Sequence, residues 1–517
     1  MLYESGASLI YFHRSNKIKI TFALLLATKY NIKMRNVDEI YKQMQKKPSS
    51  EDKAWIKTAY DFAEQAHDNQ KRASGEPYFN HVFEVSKILA EYGMDTKTII
   101  AGLLHDTIED TLITEEDVEK KFGEDVLFLV NGVTKLGKVK YRGEERHVES
   151  LRKFFVAMAE DARVIIIKLA DRLHNVQTLE HLSPEKAKRI ALETIEIHAP
   201  MANRLGMWRL KGELEDLSFP FAYPKEAAET SKLLKQKTEA DQKNMDIIYR
   251  TLKKELATQG VKIINTSHRM KGLYSLYKKL KKKDMDIGKI YDIMAIRIIV
   301  PTVEDCYRVL GIIHSLWTPI PGRIKDFIAL PKPNGYKSIH TTIFTGSGGV
   351  AEIQIRTPEM HEQAEFGIAS FFAYKEGFKK TDKHTNWIEQ FKELQKNVAK
   401  PTAFLNNLKI DFFSKRIFVF TPKGAVIDLP EDSSIIDFAY AVHSDIGAHT
   451  SGAKINGKYS KLDTKLHNGD IVSIETSEKS NPTSKWLDSA KTTLARRHIK
   501  KYLDENSLLN KFMNRFK

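Results

Sequence analysis

Residues 102–111 read GLLHDTIEDT, an apolar run that meets a His-Asp pair and then two more carboxylates one helical turn later. In a helix, His105 and Glu109 are spaced i,i+4, as are Asp106 and Asp110, so all four point to adjoining faces. Such a gathering of like charge needs a partner, and a divalent cation supplies one by turning repulsion into coordination. The same helical spacing extends outward through AWIKTAYDFAEQAH (54–67), HVFEVSKILAEYG (81–93), TKTIIAGLLHD (96–106) and AKRIALETIEIHAP (187–200), several of which end at Gly or Pro. Residues 51–220 are therefore expected to be helical.

The pattern then changes. Residues 225–258 are charged and helical and suit a connecting element, whereas YDIMAIRIIV (291–300), GVAEIQIRT (349–357), KRIFVF (415–420), GAVIDL (424–429) and DIVSIET (470–476) are short β-rich runs. The fold class expected is a multidomain α+β chain: all-helical first, then α/β, then mostly β. A length of 517 residues accommodates three or four domains, and 42% apolar with 29% charged residues excludes a disordered chain. The net charge of +15 favours polyanionic partners such as nucleotides or RNA. Cys306 is the single cysteine, so neither an internal disulfide nor a cysteine zinc cluster can form, which fits a reducing cytoplasm. HRSNKIKITFALLLATKY (13–30) has a basic flank and an apolar core too short to span a bilayer. Residues 1–33 are read as an upstream extension with Met34 as the natural start, and no membrane association is expected.

Two constellations carry chemistry. The first joins His81 in GEPYFNH, His105, Asp106 and Asp171 in IIIKLADRLHN, a mixed nitrogen and oxygen set suited to an ion such as Mn²⁺ with a position left for water. Glu109 and Asp110 stand by to orient or deprotonate that water, and Arg72, Ser74, Asn175 and Thr178 offer donors to a phosphate or base. Such a site hydrolyses phosphoesters. The second is built on two strands. Alternation puts Asp292 on a face with Met294 and Ile296, and sets Glu352, Gln354 and Arg356 on one polar face that reads as a solvated sheet surface. A Mg²⁺ shared by Asp292 and Glu352 would explain the lone acid. Arg269, Lys271, Arg323, Lys325 and Lys332 surround the pair, and Tyr336 and His340 follow in NGYKSIH. Cations beside paired acids are what phosphoryl transfer needs. GSGG (346–349) reads as a hairpin turn, since no P-loop Lys-Ser/Thr follows it.

GEPYFNH, LLHDTIEDT, KLADRLHN, GRIKDFIALPKPNGYKSIHTT, EIQIRTPEMHEQAEFG and DFAYAVHSDIGAHTSGAKING closely resemble, in order, the long RelA/SpoT homologues, the bifunctional synthetase/hydrolases of the alarmone (p)ppGpp. The resemblance implies an all-helical HD-type hydrolase domain at 34–222, connecting helices at 223–258, a nucleotidyltransferase-like synthetase domain at 259–400, a β-grasp TGS domain at 411–477, and the start of a helical region at 478–517. It implies removal of the 3′-pyrophosphate of (p)ppGpp at the HD site with Mn²⁺, and transfer of pyrophosphate from ATP to the 3′-hydroxyl of GDP or GTP with Mg²⁺. By the same resemblance His81, His105, Asp106 and Asp171 hold Mn²⁺, and Glu109 and Asp110 handle the water. Asp292 holds Mg²⁺, Glu352 is the base, Tyr336 stacks on guanine, and Arg269, Lys271, Arg323, Lys325 and Lys332 neutralise phosphates. His443 is the candidate contact to deacylated tRNA on the ribosome.

Val82 stands where the family usually has Pro after the first metal histidine, Ala73 where a basic residue is usual, and Met270 and Gly272 interrupt the usual RPKHIYS; these would loosen the first helix start and the synthetase loop. KKKD (281–284) looks like the basic variant of a synthetase motif found in bifunctional members, and a solvated helix end explains it equally well. The family's C-terminal zinc-finger and ACT regions are expected to be lacking. Two other readings stay open: a hydrolase with a decayed synthetase, and a TGS-containing tRNA- or ribosome-binding protein with vestigial catalysis.

Overall fold

The computed structural model describes residues 35–137, 161–332, 334–345, 349–370 and 416–506. The extension expected at 1–33, the Met34 start and most of the GSGG turn lie outside these residues, as do the synthetase stretch beyond 370 and the tail beyond 506.

The first core is helical. It is built by α1 (Ser50–Ala66), α2 (Phe79–Glu91), α3 (Thr96–Leu104), α4 (Thr107–Asp110), α5 (Glu124–Gly137), α6 (Ala162–Gln177), α7 (Ala199–Arg204) and α8 (Trp208–Ala222). Local chemistry sets several boundaries: Ser49 closes a capping box with Asp52 at the start of α1, and Asp95 accepts from the Thr98 N–H at the start of α3. The helices α2 and α3 pack closely because Gly102 has no side chain; a Cβ there would lie 2.5 Å from Leu89 Cδ1. Val82 is fully buried and the His81 N–H is bonded to the Tyr78 carbonyl, so the missing proline leaves the start of α2 well formed.

The single helix expected across His105 is corrected: the chain breaks between α3 and α4 at His105-Asp106. Asp106 sits at φ −102°, ψ −5°, and the Thr107 hydroxyl takes the Leu104 carbonyl at 2.6 Å. A side chain thus competes with the helical backbone bond, as short hydroxyl residues do.

The second core lies under a five-stranded sheet of order β1-β2-β5-β4-β3. Its strands are β1 (Asn265–Met270), β2 (Met294–Ile299), β3 (Lys325–Asp326), β4 (Ile339–Phe344) and β5 (Val350–Arg356). Only β2 and β5 pair in parallel. Around it stand α9 (Pro224–Thr258), which leads out of the helical domain, α10 (Leu273–Lys281), α11 (Val303–Leu316) and α12 (Pro358–Phe366). Past α12, Ile368 and Ala369 tuck into the first core, and the Ile368 N–H bonds the Leu205 carbonyl at 2.8 Å.

The third part contains the hairpin β6 (Arg416–Phe420)–β7 (Val426–Pro430), helix α13 (Ile435–Val442), a sheet of order β10-β8-β9 (Val472–Thr476, Thr450–Ile455, Lys458–Ser460), and α14 (Thr493–Glu505) against α13. A parallel bridge from Phe420 to Ile471 joins the hairpin to that sheet. Arg204 of the helical domain reaches Asp428 of the hairpin at 3.7 Å. Among the described residues, no helix is long and apolar enough to cross a membrane.

Candidate functional site

The helix break aims the first cluster. His105, at the end of α3, bonds the Gly102 carbonyl through Nδ1 at 2.8 Å, which leaves its buried Nε2 turned toward Asp106. His81, in the first turn of α2, has Nε2 3.2 Å from Asp171 Oδ1 on α6 and 3.6 Å from Asp106 Oδ2; His105 Nε2 is 3.2 Å from that same oxygen. One donor atom each from His81, His105 and Asp106 falls within 4.8 Å of the others. This donor set fits a divalent ion: two imidazole nitrogens, one oriented by a backbone carbonyl, converge with carboxylates, the arrangement expected of metal ligands with ordered partners. Asp171 adjoins them through His81, although its other bonds run to Lys168 (2.6 Å) and Asn175 (2.5 Å).

Burial and charge act against each other throughout the cluster. Burial opposes charge on His105, but Asp106 outweighs it and the imidazole is pushed up to about 9; His81 is pushed down by burial. Both carboxylates stay below their usual range despite burial, Asp106 through His105 and Asp171 chiefly through Lys168. A cavity of about 200 Å³ opens over Asp106, Glu109, Asp110, Asp171 and Asn175. Arg72 stands behind this wall, donating to Asn175 Oδ1 at 2.5 Å, whereas Ser74 sits further along the same loop and the Thr178 hydroxyl, at the end of α6, bonds carbonyls of its own helix. Ser74 and Thr178 are not among the residues lining the cavity.

Three participants escaped the sequence reading. His174, one turn beyond Asp171, places Nδ1 2.8 Å from His81 Nδ1 and 3.1 Å from Arg72; burial, then His81 and Arg72, push it down to about 3. Lys168 sits one turn before Asp171 and neutralises it. The Tyr78 hydroxyl lies 2.8 Å from Asp106 Oδ2 and 2.9 Å from Asp110 Oδ2, one proton shared between two acids. All three lie inside the quoted motifs GEPYFNH and KLADRLHN, which was the available signal.

The second cluster is assembled differently. Asp292 precedes β2 instead of lying in it, which corrects the strand-face expectation; the loop carboxylate turns toward Lys271, just before α10, and Lys279 on it. It binds Lys271 Nζ at 2.6 Å and Lys279 Nζ, and these cations override burial to hold it at about 2. Lys279 is a further residue the sequence reading missed. Glu352 opposes Thr342 on β4 and Ala295 on β2, and its carboxylate takes His340 Nδ1 at 3.0 Å and Gln354 Nε2 at 2.9 Å. Burial raises Glu352, and His340 outweighs it, leaving the acid below its usual value.

The polar face of β5 is not a solvated surface: Gln354 and Arg356 are buried, Arg356 at 1% exposure. Arg356 donates to Tyr336 Oη at 3.0 Å and to Gln354 Oε1 at 3.1 Å, and Tyr336 Oη bonds His340 Nε2 at 2.7 Å. The Tyr336 ring is buried between Trp208 of α8, Phe327 and His340. Lys332 Nζ sits 4.6–5.0 Å from the Trp208, Phe327 and Tyr336 ring centres, and burial pushes it down to about 8. Lys325 opposes His340 in the sheet, Arg269 reaches Gln354 at 3.4 Å, and Arg323 lies over the exposed Tyr291 ring. Lys281–Asp284 are exposed at the end of α10, as a solvated helix end would be. His443 is exposed between α13 and the next helix, with Nδ1 accepting from the Asp445 N–H.

Comparison with known proteins places three family models along the chain: an HD domain at residues 59–208, the region found in RelA/SpoT proteins at 268–379, and a TGS domain at 417–476. The chain is 47% identical over 458 residues to a GTP pyrophosphokinase of Myxococcus xanthus, covering 87% of this chain and 60% of that protein. It is 46% identical over 454 residues to a guanosine-3′,5′-bis(diphosphate) 3′-pyrophosphohydrolase of Aquifex aeolicus, covering 87% and 64%. To the bifunctional (p)ppGpp synthase/hydrolase SpoT of Escherichia coli it is 42% identical over 453 residues, again covering 87% and 64%. The chain spans about three fifths of the length of these curated relatives.

Proposed function

Since the chain belongs to the RelA/SpoT family, we propose that it both makes and destroys (p)ppGpp, in two sites with separate cores, and so serves stringent-response control. The observation that carries this reading is the pair of acid clusters: one joined to imidazoles in the helical domain, the other to lysines and a histidine beside the sheet.

In the helical domain the proposed reaction is hydrolysis of (p)ppGpp to GDP or GTP and pyrophosphate. His81, His105, Asp106 and Asp171 would hold Mn²⁺, which when bound lowers the pKa of a coordinated water and so supplies a nucleophile near neutral pH. Glu109 and Asp110, on the cavity wall, orient that water and take its proton. Arg72 and Asn175 carry donors suited to the substrate's phosphates.

In the α/β domain the proposed reaction moves pyrophosphate from ATP to the 3′-hydroxyl of GDP or GTP. Asp292 would hold Mg²⁺, with help from Glu352, an all-oxygen pair that suits a hard ion and neutralises polyphosphate charge. Glu352 takes the hydroxyl proton, and His340, which bonds it, fixes the carboxylate's direction. Arg269, Lys271, Arg323, Lys325 and Lys332 supply cations to the phosphates. Tyr336 is assigned to guanine, and the burial of its ring among Trp208, Phe327 and Lys332 means that a base must displace these neighbours to stack there. Exposed His443 is assigned to deacylated tRNA on the ribosome; equal stimulation of the parent and of His443→Ala by ribosomes and tRNA would remove that assignment.

The test is turnover by the purified chain, with ATP plus GDP in Mg²⁺ and with ppGpp in Mn²⁺. The reading expects ppGpp in the first reaction and GDP with pyrophosphate in the second. Hydrolysis alone would select a decayed synthetase, and tRNA binding without either turnover would select the vestigial-enzyme reading.

A further inference from the structure

The helix α10 begins without a cap of its own. Its N-cap position is Gly272, at φ −59°, ψ 145°, which has no side chain to meet the first-turn N–H groups. The cap comes from another domain: Asp216, in the middle of α8 of the helical core, accepts the Tyr274 N–H on Oδ1 at 3.0 Å. Glycine is what admits it, because a Cβ on residue 272 would lie 2.7 Å from Asp216 Oδ2. The His-to-Gly departure in this motif is therefore matched by a carboxylate that occupies the space.

What α10 carries gives the contact its meaning. Lys271 immediately precedes Gly272; its N–H bonds the Ile293 carbonyl at 2.9 Å and its Nζ binds Asp292. Lys279, on the helix itself, binds the same carboxylate. The rest of the α8–α10 contact holds the two helices together independently: Glu215 takes Lys278 at 2.7 Å and Ser275 at 3.1 Å, and Phe219 packs against Tyr274 and Tyr277 with ring centres 5.2 Å away. Losing the Asp216 carboxylate would leave that packing in place and release the first turn.

We propose that Asp216 is a positioning residue of the synthetase: by capping α10 from the hydrolase-side core, it fixes Lys271 and Lys279 for the triphosphate of ATP. This rests on the synthetase reading given above. An acid at a helix N-terminus also favours the helix dipole, so the cap acts through charge as well as geometry.

The experiment measures steady-state synthesis and hydrolysis on the full chain. Asp216→Ala should raise KM for ATP by roughly five- to thirtyfold, equivalent to a lost cap of about 1–2 kcal/mol, with KM for GDP and the hydrolysis rate unchanged. Asp216→Asn keeps an acceptor oxygen and should retain most of the parent's ATP affinity. Gly272→Ser, which supplies a cap locally but crowds the carboxylate, should impair the parent and restore ATP affinity to Asp216→Ala. An unchanged KM for ATP in Asp216→Ala, or a defect that Gly272→Ser fails to reverse, would overturn the proposal. Preserved hydrolysis reports that each variant is folded. Asp292→Asn separates the two layers of the argument: if it leaves synthesis intact, the synthetase reading itself fails, and if it abolishes synthesis while Asp216→Ala changes nothing, only the capping role fails.

Discussion

The two acid clusters answer the same electrostatic problem with different partners. In the helical domain the donor atoms of His81, His105 and Asp106 already converge, with His105 Nε2 3.2 Å from Asp106 Oδ2 and His81 Nε2 3.2 Å from Asp171 Oδ1. In the α/β domain the acids are satisfied by protein cations, Asp292 by Lys271 and Lys279, and Glu352 by His340. The first site already brings nitrogen and oxygen donors within 4.8 Å of one another, where one ion would replace the His–Asp contacts. The second must exchange internal ion pairs for metal and phosphate contacts before it can work, and its Tyr336 is covered by Trp208 from the other domain. The lesson is that acids clustered with imidazoles, which can themselves ligate an ion, and acids clustered with lysines, which cannot, are different states of readiness, although both look like catalytic sites in a list of residues.

The comparison can be broken most severely at Glu352. Glu352→Gln keeps the Gln354 and His340 neighbours but removes the proton acceptor, so synthesis should fall by about 10²- to 10⁴-fold, the range for a lost general base, with hydrolysis preserved. Normal ppGpp formation by this variant, measured by separating the nucleotide products, would remove Glu352 from the chemistry.

A smaller effect is expected behind the metal ligands. His174 bonds His81 through Nδ1 and is not itself among the residues lining the cavity, so His174→Ala should weaken Mn²⁺ binding by roughly 10- to 100-fold, as loss of an outer partner of a metal histidine does. Calorimetric Mn²⁺ titration measures this directly, and unaltered affinity would show that the His81 ring is held by packing alone.

The mildest effect concerns pH. Lys332 is pushed down to about 8 by burial, so it is charged below that pH and neutral above it. The kcat/KM of synthesis for nucleotide should therefore decline as pH rises through about 8. Lys332→Arg keeps its charge across that range and should remove the decline. A profile of the same shape in both proteins would assign the titration to another group.

Much of this was legible in the sequence because periodicity and motif spacing survive folding. The helical runs around GLLHDTIEDT, the strands 294–299 and 350–356, and the meeting of His81, His105, Asp106 and Asp171 all follow from such patterns. What was not legible depends on contacts between segments far apart. The break at His105-Asp106 coincides with a Thr107 hydroxyl bond to the Leu104 carbonyl, a contact that apolar spacing does not record. Alternation marked Gln354 and Arg356 as polar but could not say that Tyr336 and its neighbours cover them. Lys279 stood in a lysine-rich run where nothing distinguished it until the fold brought Asp292 beside it.

The central claim, that two chemistries occupy two separable sites, is tested most directly by Asp106→Ala in the full chain, with both reactions measured on one preparation. Asp106 Oδ2 is the oxygen that lies near both His81 and His105, and it belongs to a core distinct from that of Asp292 and Glu352. The account predicts that release of pyrophosphate from ppGpp in Mn²⁺ drops to background while ppGpp formation from ATP and GDP in Mg²⁺ continues at the parent's rate. A folded Asp106→Ala protein that still hydrolyses ppGpp at the parent's rate would contradict it.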